Sequence, residues 1–204
     1  MLLREHLDDL YKSGLTDDTI PKMNVSSVGP DELDSRFKMA GVQSAIRFEY
    51  LRLNGQSPFY RLKFIPPLTK DNGHVQKYWQ PGETGCRLYV PDLVVDIFRD
   101  KDKPLLVTEG EKKAWAGVQA GFPTVAIGGI YNFNDKETDW LIPELDEALK
   151  PGRVITYVPD SDVWIDPRKL EAVFRLGMKI ETAHGQILSR QAARGSGRQD
   201  DGIG

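Results

Sequence analysis

Two kinds of hydrophobic pattern divide the chain near residue 104. Between residues 44 and 90, apolar and polar positions alternate in short runs such as AIRFEYLRL and FYRLKFI. Alternation of this kind is typical of β-strands with one buried face. After residue 104, the short apolar runs LLVT, TVAIGG and VITYV are separated by helical stretches. These runs indicate strands buried on both faces, so we expect an antiparallel meander followed by a parallel α/β sheet.

The alternating half predicts a meander with one basic face. AIRFEYLRL ends at Asn54-Gly55, a dipeptide typical of hairpins. In FYRLKFI, the period of two places Arg61 and Lys63 on one face and the larger apolar side chains on the other. VQKYW and RLYV continue the pattern.

The second half predicts three helices between its strands. EKKAWAGVQA ends at Gly121, TDWLIPELDEALK contains Pro143 at the start of its own turn, and DPRKLEAVFRLG begins at Asp166-Pro167. KIETA is a candidate fourth strand. Right-handed crossovers leave the first and third strands free to be neighbours, with the second strand flanking the first.

The expected fold class is α/β, or α+β over the whole chain. Residues 1–43 are predicted to be a helical lead-in that packs on the next domain, with a DNA-reading helix pair as the alternative. Residues 44–103 form the antiparallel basic lobe, and residues 104–185 form the parallel domain. Residues 186–204 contain few apolar side chains and many Gly and Arg, so we expect a disordered or truncated tail.

Charge is distributed unevenly along the 204 residues, whose net charge is −3. Residues 1–35 carry three basic and eight acidic side chains, whereas residues 36–90 carry nine basic and three acidic ones. A basic middle segment beside an acidic segment fits a protein that guides a polyanion to a metal ion. Ordinary scatter of charges is the alternative.

Composition excludes several kinds of site. Cys86 is the only cysteine, so the chain contains no internal disulfide and no cysteine zinc cluster. The three histidines are far apart and form no ligand pattern. No apolar stretch approaches the roughly 18 residues of a membrane span, and the amino terminus lacks the order of a signal peptide. We therefore expect a cytoplasmic protein with no membrane partner.

Acidic side chains follow two of the buried strands at their carboxyl ends. Glu109 ends the run LLVTE, and Asp160 and Asp162 follow VITYV. Parallel α/β sheets bind ligands at this edge, where the strand order reverses. Converging carboxylates repel each other unless a divalent cation joins them, so the pattern predicts a Mg²⁺ or Mn²⁺ site and phosphoryl chemistry. The alternative is that DSD is only a helix-capping turn.

The motifs TEGEKKAWAGVQAG and PDSD, with a glycine-bearing strand between them, resemble a Toprim domain. That fold is shared by bacterial-type primases, topoisomerases and nucleases of the overcoming-lysogeny-defect type. The resemblance implies that Glu109, Asp160 and Asp162 are the metal-binding and catalytic acids. SGLTDDTI, KYWQPGET and RLYVP resemble a domain of unknown function found in plasmid and phage replication proteins.

A second resemblance concerns the basic lobe. QKYWQPGETGCRLYVP is similar to the segment that precedes the Toprim domain of bacterial-type primases and lines their template groove. The resemblance implies that Arg61, Lys63, Lys77 and Arg87 bind phosphates of a single-stranded DNA template. Lys113 would bind nucleotide phosphate at the helix start, or is an ordinary surface charge. The aromatic pair YW either stacks on bases or packs in the meander.

These resemblances imply a primase-like Toprim core in plasmid or phage replication. It would transfer nucleotidyl groups from nucleotide triphosphates on a nucleic-acid template, alongside a helicase partner. Two alternatives use the same residues differently. A Toprim nuclease would cleave nucleic acid with the same acids, and a non-catalytic nucleic-acid-binding module would recruit a helicase or polymerase.

Overall fold

Two four-stranded β-sheets of different kinds form the framework of the protein. The computed structural model describes residues 2–53, 55–82, 84–149, 152–183 and 186–187. The strands are Val25–Val28 (β1), Ser44–Glu49 (β2), Tyr60–Thr69 (β3), Val75–Trp79 (β4), Leu105–Glu109 (β5), Thr124–Ile127 (β6), Val154–Val158 (β7) and Gln186–Ile187 (β8). The first sheet is antiparallel with order β1-β2-β3-β4, and the second is parallel with order β6-β5-β7-β8. The mixed α/β fold class is therefore confirmed.

Six α-helices accompany the sheets in the described ranges. They are Arg4–Tyr11 (α1), Ser35–Met39 (α2), Val95–Arg99 (α3), Glu111–Gln119 (α4), Pro143–Ala148 (α5) and Pro167–Thr182 (α6). The start of α6 follows the sequence prediction, because the Asp166 carboxylate accepts a hydrogen bond from the Arg168 N–H at 3.0 Å. None of these helices is both long enough and apolar enough to cross a membrane.

The two faces of the antiparallel sheet pack against different neighbours. Leu62 and Phe64 of β3 lie on one face, where they pack with Phe37 of α2. Helices α1 and α4 cover the opposite face, to which Arg61 and Lys63 project. The predicted alternation along β3 is therefore present, but its basic face lies against other parts of the protein.

The parallel sheet is centred on β5, which pairs with β6 on one side and β7 on the other. This is the neighbour relation expected from right-handed crossovers. Leu105, Val107 and Ile155 are fully buried in its core. The order places the carboxyl ends of β5 and β7 side by side, which positions the candidate site.

Arg153, directly before β7, joins the ends of two helices. Its guanidinium donates hydrogen bonds of 2.8–3.0 Å to carbonyl oxygens of Ile97, Phe98, Lys103 and Ala148. Carbonyl groups in the last turn of a helix lack partners within that helix. Arg153 therefore donates hydrogen bonds to carbonyl oxygens of α3 and α5 that would otherwise lack a donor in the core.

Two segments adopt a secondary structure different from the predicted one. KIETA continues α6 instead of forming a strand, because Ala172, Leu176 and Ile180 recur at helical spacing on its buried face. Within the lead-in predicted to be helical, β1 forms a strand that pairs with β2. The predicted tail 186–204 lies outside the described residues apart from β8.

Two connections of the predicted meander also differ. β2 ends at Glu49, before the expected hairpin dipeptide, of which Asn54 lies outside the described residues. RLYV does not extend the first sheet, because Tyr89 forms an antiparallel bridge with Ala126 of β6. Leu88, Tyr89 and Val90 are all buried, so the apolar sequence of this segment has the composition of a strand.

The packing of α4 on β6 requires glycine at position 117. A Cβ atom on Gly117 would lie 2.3 Å from Thr124 Oγ1 and 2.8 Å from Thr124 Cβ. Gly117→Ala should therefore lower the free energy of unfolding by about 1–3 kcal/mol through overpacking, although alanine favours helix by about 1 kcal/mol. Urea denaturation measures the change. Gly29→Ala is the matched control because its Cβ meets open space, and equal stability of both variants would contradict the prediction.

Candidate functional site

A pocket of about 200 Å³ opens at the carboxyl edge of the parallel sheet. Glu109 is the last residue of β5 and Asp160 lies two residues after β7, so two strand ends each contribute a carboxylate. Arg61 and Tyr78 of the antiparallel sheet line the same pocket. The other lining residues are Gly110, Lys112, Lys113, Gly128 and Gly129. The pocket therefore combines carboxylates from one sheet with a guanidinium from the other.

Glycines allow the backbone to turn sharply at this edge. Gly110 has a φ of 82° and Gly129 a φ of 136°, in a region that disfavours side chains. A Cβ atom on Gly128 would lie 3.0 Å from Arg61 Nη1. Glycine at position 128 thus lets the Arg61 guanidinium approach the turn after β6.

The Glu109 carboxylate is held by three donors. Its Oε2 accepts a hydrogen bond from the Ile130 N–H at 3.0 Å. Its Oε1 accepts from the Tyr157 hydroxyl at 2.8 Å and from the Asp160 N–H at 3.3 Å. Burial, with a further contribution from Glu109, raises the pKa of Tyr157, so its hydroxyl keeps its proton and donates. Glu109 is therefore fixed in one orientation and links β5 to the turn that carries Asp160.

Each aspartate of the DSD motif forms an ion pair with a lysine. Asp160 pairs with Lys113 of α4, and Asp162 pairs with Lys169 of α6. The hydrogen bond to Asp162 raises the pKa of Lys169, whereas burial lowers that of Lys113. Asp162 lies in the 3₁₀ turn Ser161–Trp164 and does not line the pocket. Its Oδ1 is shielded from solvent and has no hydrogen-bond partner in the part of the chain described.

The oxygen donors at this edge fit a hard divalent cation. Among the described residues, no three His, Cys, Asp or Glu side chains are already grouped to hold a metal ion. Mg²⁺, however, takes only one or two protein carboxylates and keeps several waters. Asp160, with Glu109 or the unpartnered oxygen of Asp162, can supply such ligands once the lysine ammonium groups move. The convergence of all three acids stays a prediction.

A buried ion pair adjoins the pocket on the side of the antiparallel sheet. Glu111 is fully buried in the first turn of α4 and accepts hydrogen bonds from Arg61 Nη1 at 2.9 Å and the Tyr50 hydroxyl at 2.7 Å. The Arg61 guanidinium also lies over the Tyr78 ring, 4.8 Å from its centre. Burial alone would lower the pKa of Arg61, but Glu111 raises it overall. The guanidinium therefore stays charged beside the pocket.

The structure distributes the predicted phosphate-binding residues over three places. Arg61 and Lys113 line the pocket. Lys63 and Lys77 line a neighbouring groove of about 560 Å³, where Lys77 is exposed and Lys63 is mostly buried. Arg87 lines neither cavity.

Arg87 contacts a buried carboxylate at the start of α5. Its Nη1 lies 3.4 Å from Glu144 Oε1, which also accepts a hydrogen bond from Gln56 Nε2 at 2.7 Å. Arg87 thereby helps to compensate a charge that is almost fully removed from solvent. It is placed to stabilise the fold and does not line the pocket or the groove.

Sequence reasoning missed several residues of the site. Glu111 had a detectable signal, because it follows a strand end by two residues and so begins a helix packed on the sheet. Tyr157 had a weaker signal, because it places a hydroxyl group in a mostly apolar strand. Asp9, which contacts Lys63 and Lys112, had none, since these partners are 54 and 103 residues away in sequence.

The part of the chain that contains the acidic edge is similar to a known family. Residues 95–190, just under half of the sequence, match a family of proteins. That family is described as a Domain of unknown function (DUF3854). An uncharacterized protein of Picosynechococcus sp. (strain ATCC 27264 / PCC 7002 / PR-6) is 38% identical over 108 residues, 48% of this chain. The chain spans only 10% of the length of that relative. Neither description names an activity.

Proposed function

We propose that the protein is a primase-like Toprim core that performs metal-dependent nucleotidyl or phosphoryl transfer on nucleic acid in plasmid or phage replication. One observation carries the proposal: a single pocket joins the strand-end carboxylates of Glu109 and Asp160 to the cationic side chains of Arg61, Lys112 and Lys113. Phosphoryl transfer needs carboxylates that hold a metal ion and cations that neutralise phosphate charge.

The side chains would have separate tasks in this reaction. Asp160, with Glu109 or Asp162, would hold Mg²⁺ or Mn²⁺, which when bound neutralises charge on the nucleotide triphosphate. Lys113 would leave Asp160 and pair with a phosphate group. Arg61 would face the phosphates from the antiparallel sheet, in the orientation that its ion pair with the buried Glu111 maintains.

The path of the nucleic acid would include the groove beside the pocket. Lys12 and Lys77 are exposed cations of that groove, and Lys77 is the residue we assign to a template phosphate. A single-stranded DNA template, a helicase partner and a cytoplasmic location complete the proposal.

One observation favours a Toprim nuclease as the second candidate. Lys63 and Arg87, two of the cations expected to hold a template, are paired with carboxylates of the protein itself. The antiparallel lobe therefore offers fewer unpaired charges to a template than its composition indicates, whereas a nuclease would rely mainly on the pocket.

Metal binding and reaction products test the proposal together. Asp160→Asn should weaken Mg²⁺ binding at least about tenfold in calorimetry, because a neutral amide is a poor ligand for a hard cation. It should also abolish Mg²⁺-dependent products from a single-stranded template and nucleotide triphosphates. Extended products identify a primase-like enzyme, and shortened oligonucleotides identify a nuclease.

Asp166→Asn is the matched control for this experiment. It removes the same charge close to the site, while asparagine caps α6 as well as aspartate does. We expect its Mg²⁺ affinity to equal that of the wild type. Identical affinities of wild type, Asp160→Asn and Asp162→Asn would exclude the proposed metal site.

A further inference from the structure

Asp9 of α1 contacts two lysines from distant parts of the chain. Its Oδ1 pairs with Lys63 of β3, and its Oδ2 accepts a hydrogen bond from Lys112 of α4 at 2.9 Å. The side chains of Asp9, Lys63 and Lys112 are only 22%, 14% and 16% exposed. One carboxylate thus lies between two ammonium groups that are largely withdrawn from solvent.

This contact lies where the groove meets the pocket. The groove is lined by Glu5, Asp8, Asp9, Lys12, Lys63, Phe64, Ile65, Pro67, Lys77, Tyr78 and Lys112. Tyr78 and Lys112 also line the pocket that contains Glu109 and Asp160. The two cavities therefore adjoin at Tyr78 and Lys112, and a strand with several phosphates is long enough to reach both.

The charge of the three side chains is unbalanced, because one carboxylate serves two ammonium groups. Burial lowers the pKa of Lys63, and the nearby Lys112 adds to this in spite of the hydrogen bond from Lys63 to Asp9. Burial would raise the pKa of Asp9, but the two lysines lower it overall. The two lysine ammonium groups can therefore bind a further anion, or an anion that replaces the Asp9 carboxylate.

We propose that Asp9 occupies the position of a nucleic-acid phosphate, and that single-stranded nucleic acid binds the groove by displacing Asp9 from Lys63 and Lys112. The inference rests on the proposed function, because it assigns the path by which a strand reaches the pocket. Repeated phosphates suit this path, since they can engage Lys77, the two released lysines and the pocket in succession. In the free protein, the Asp9 contact competes with the strand and weakens binding.

The test is the affinity of the full chain for fluorescently labelled oligo(dT), measured by anisotropy over a series of salt concentrations in EDTA. We expect Asp9→Asn to tighten binding about fivefold or more, because the strand no longer has to displace the Asp9 carboxylate from the two lysines. The log–log salt slope should change by less than one phosphate contact, about 0.7, since both lysines contact phosphates in either complex. EDTA removes divalent metal ions, so this readout does not depend on whether the protein is an enzyme.

Asp8→Asn is the matched control. Asp8 lies on the same helix and lines the same groove, but its ion pair is with the exposed Arg4. The substitution removes the same charge without releasing a lysine, so we expect a change in affinity of less than about twofold and an unchanged slope. Equal effects of the two variants would overturn the proposal, because a general charge effect would then explain both. Weaker binding by Asp9→Asn would also overturn it.

A second measurement covers the case in which Asp9→Asn does not fold. Oligo(dT) should protect Lys63 and Lys112 of the wild-type protein from an amine-acetylating reagent, as read by mass spectrometry. Polyglutamate, which has carboxylates in place of phosphates, should protect them much less. Absence of protection by oligo(dT), or better protection by polyglutamate, would overturn the assignment of nucleic acid to this groove.

Discussion

Arg61→Met is expected to lower the free energy of unfolding by about 3–5 kcal/mol, because it leaves the Glu111 carboxylate buried without its cationic partner. The two side chains lie 2.9 Å apart and are 8% and 0% exposed, so the Glu111 carboxylate is withdrawn from solvent. The Tyr50 hydroxyl still donates to Glu111 but carries no charge. Urea denaturation followed by circular dichroism measures the loss, provided that the slope with denaturant is unchanged.

The double variant Arg61→Met/Glu111→Leu is the control for this result. Replacing a whole buried ion pair by apolar side chains of similar volume is often neutral or stabilising. We therefore expect the double variant to recover most of the lost stability. It leaves the Tyr50 hydroxyl without its acceptor, so adding Tyr50→Phe should give a further gain of about 1–3 kcal/mol. A single Arg61→Met variant as stable as the wild type would contradict the prediction.

The same variants separate the two roles of Arg61. The residue stabilises the contact between the antiparallel sheet and α4, and it also lines the pocket. A stable double variant lacks the guanidinium while keeping the fold. If Arg61 contacts phosphates as proposed, this variant will bind nucleotide and nucleic acid more weakly than the wild type, with a shallower salt slope.

The arrangement of the parallel sheet was predictable because it depends on local patterns and on the handedness of crossovers. Apolar runs at 105–108 and 154–158 marked β5 and β7 as buried strands, and Leu105, Val107, Ile155 and Tyr157 are buried in the structure. Short connections through helices then made them parallel neighbours. The position of Glu109 and Asp160 at one edge follows from this order, which explains why the acidic edge could be found from sequence.

The surroundings of the basic residues were not predictable, because charges that pair across long stretches of sequence leave no local signal. Alternation correctly placed Arg61 and Lys63 on one face of β3. It could not reveal that α1 and α4 cover this face with Asp9 and Glu111. Whether a cation is free to bind a phosphate depends on such tertiary partners, so composition alone could not distinguish the paired cations of the basic lobe from the unpaired ones.

Segments with mixed periodicity were misassigned for a related reason. KIETA has β-branched residues that favour a strand in isolation. Its isoleucine Ile180 nevertheless continues the buried stripe of α6 four residues after Leu176. The helix therefore extends because packing against the sheet outweighs local propensity.

Under the proposed function, Glu109→Gln is expected to lower the rate of phosphoryl transfer by about 10²-fold or more, because a charged group at the carboxyl edge of the sheet is replaced by a neutral one of the same shape. Affinity for oligo(dT) in EDTA should stay within about twofold, since Glu109 lines the pocket but not the basic groove. Single-turnover rates at saturating Mg²⁺ and nucleic acid measure the effect, after correction for the folded fraction.

Glu109 also stabilises the fold, so the rate must be compared per folded molecule. The Ile130 N–H donates to one carboxylate oxygen, and the Tyr157 hydroxyl and the Asp160 N–H donate to the other. In either orientation, a glutamine places its NH₂ group against a backbone donor, so a stability loss of about 1–3 kcal/mol is expected as well. The effect of the lost charge on the rate must therefore be distinguished from the effect of the lost hydrogen bonds.

Tyr157→Phe distinguishes the two effects, because it removes one hydrogen bond to Glu109 while leaving the carboxylate charge in place. We expect this variant to lose about 1 kcal/mol of stability and less than about tenfold in rate. If Glu109 only orients the turn that carries Asp160, the two variants will lose activity in proportion to stability. A Glu109→Gln protein that, once folded, reacts as fast as Tyr157→Phe would therefore remove Glu109 from the chemistry and leave it as a positioning residue for Asp160.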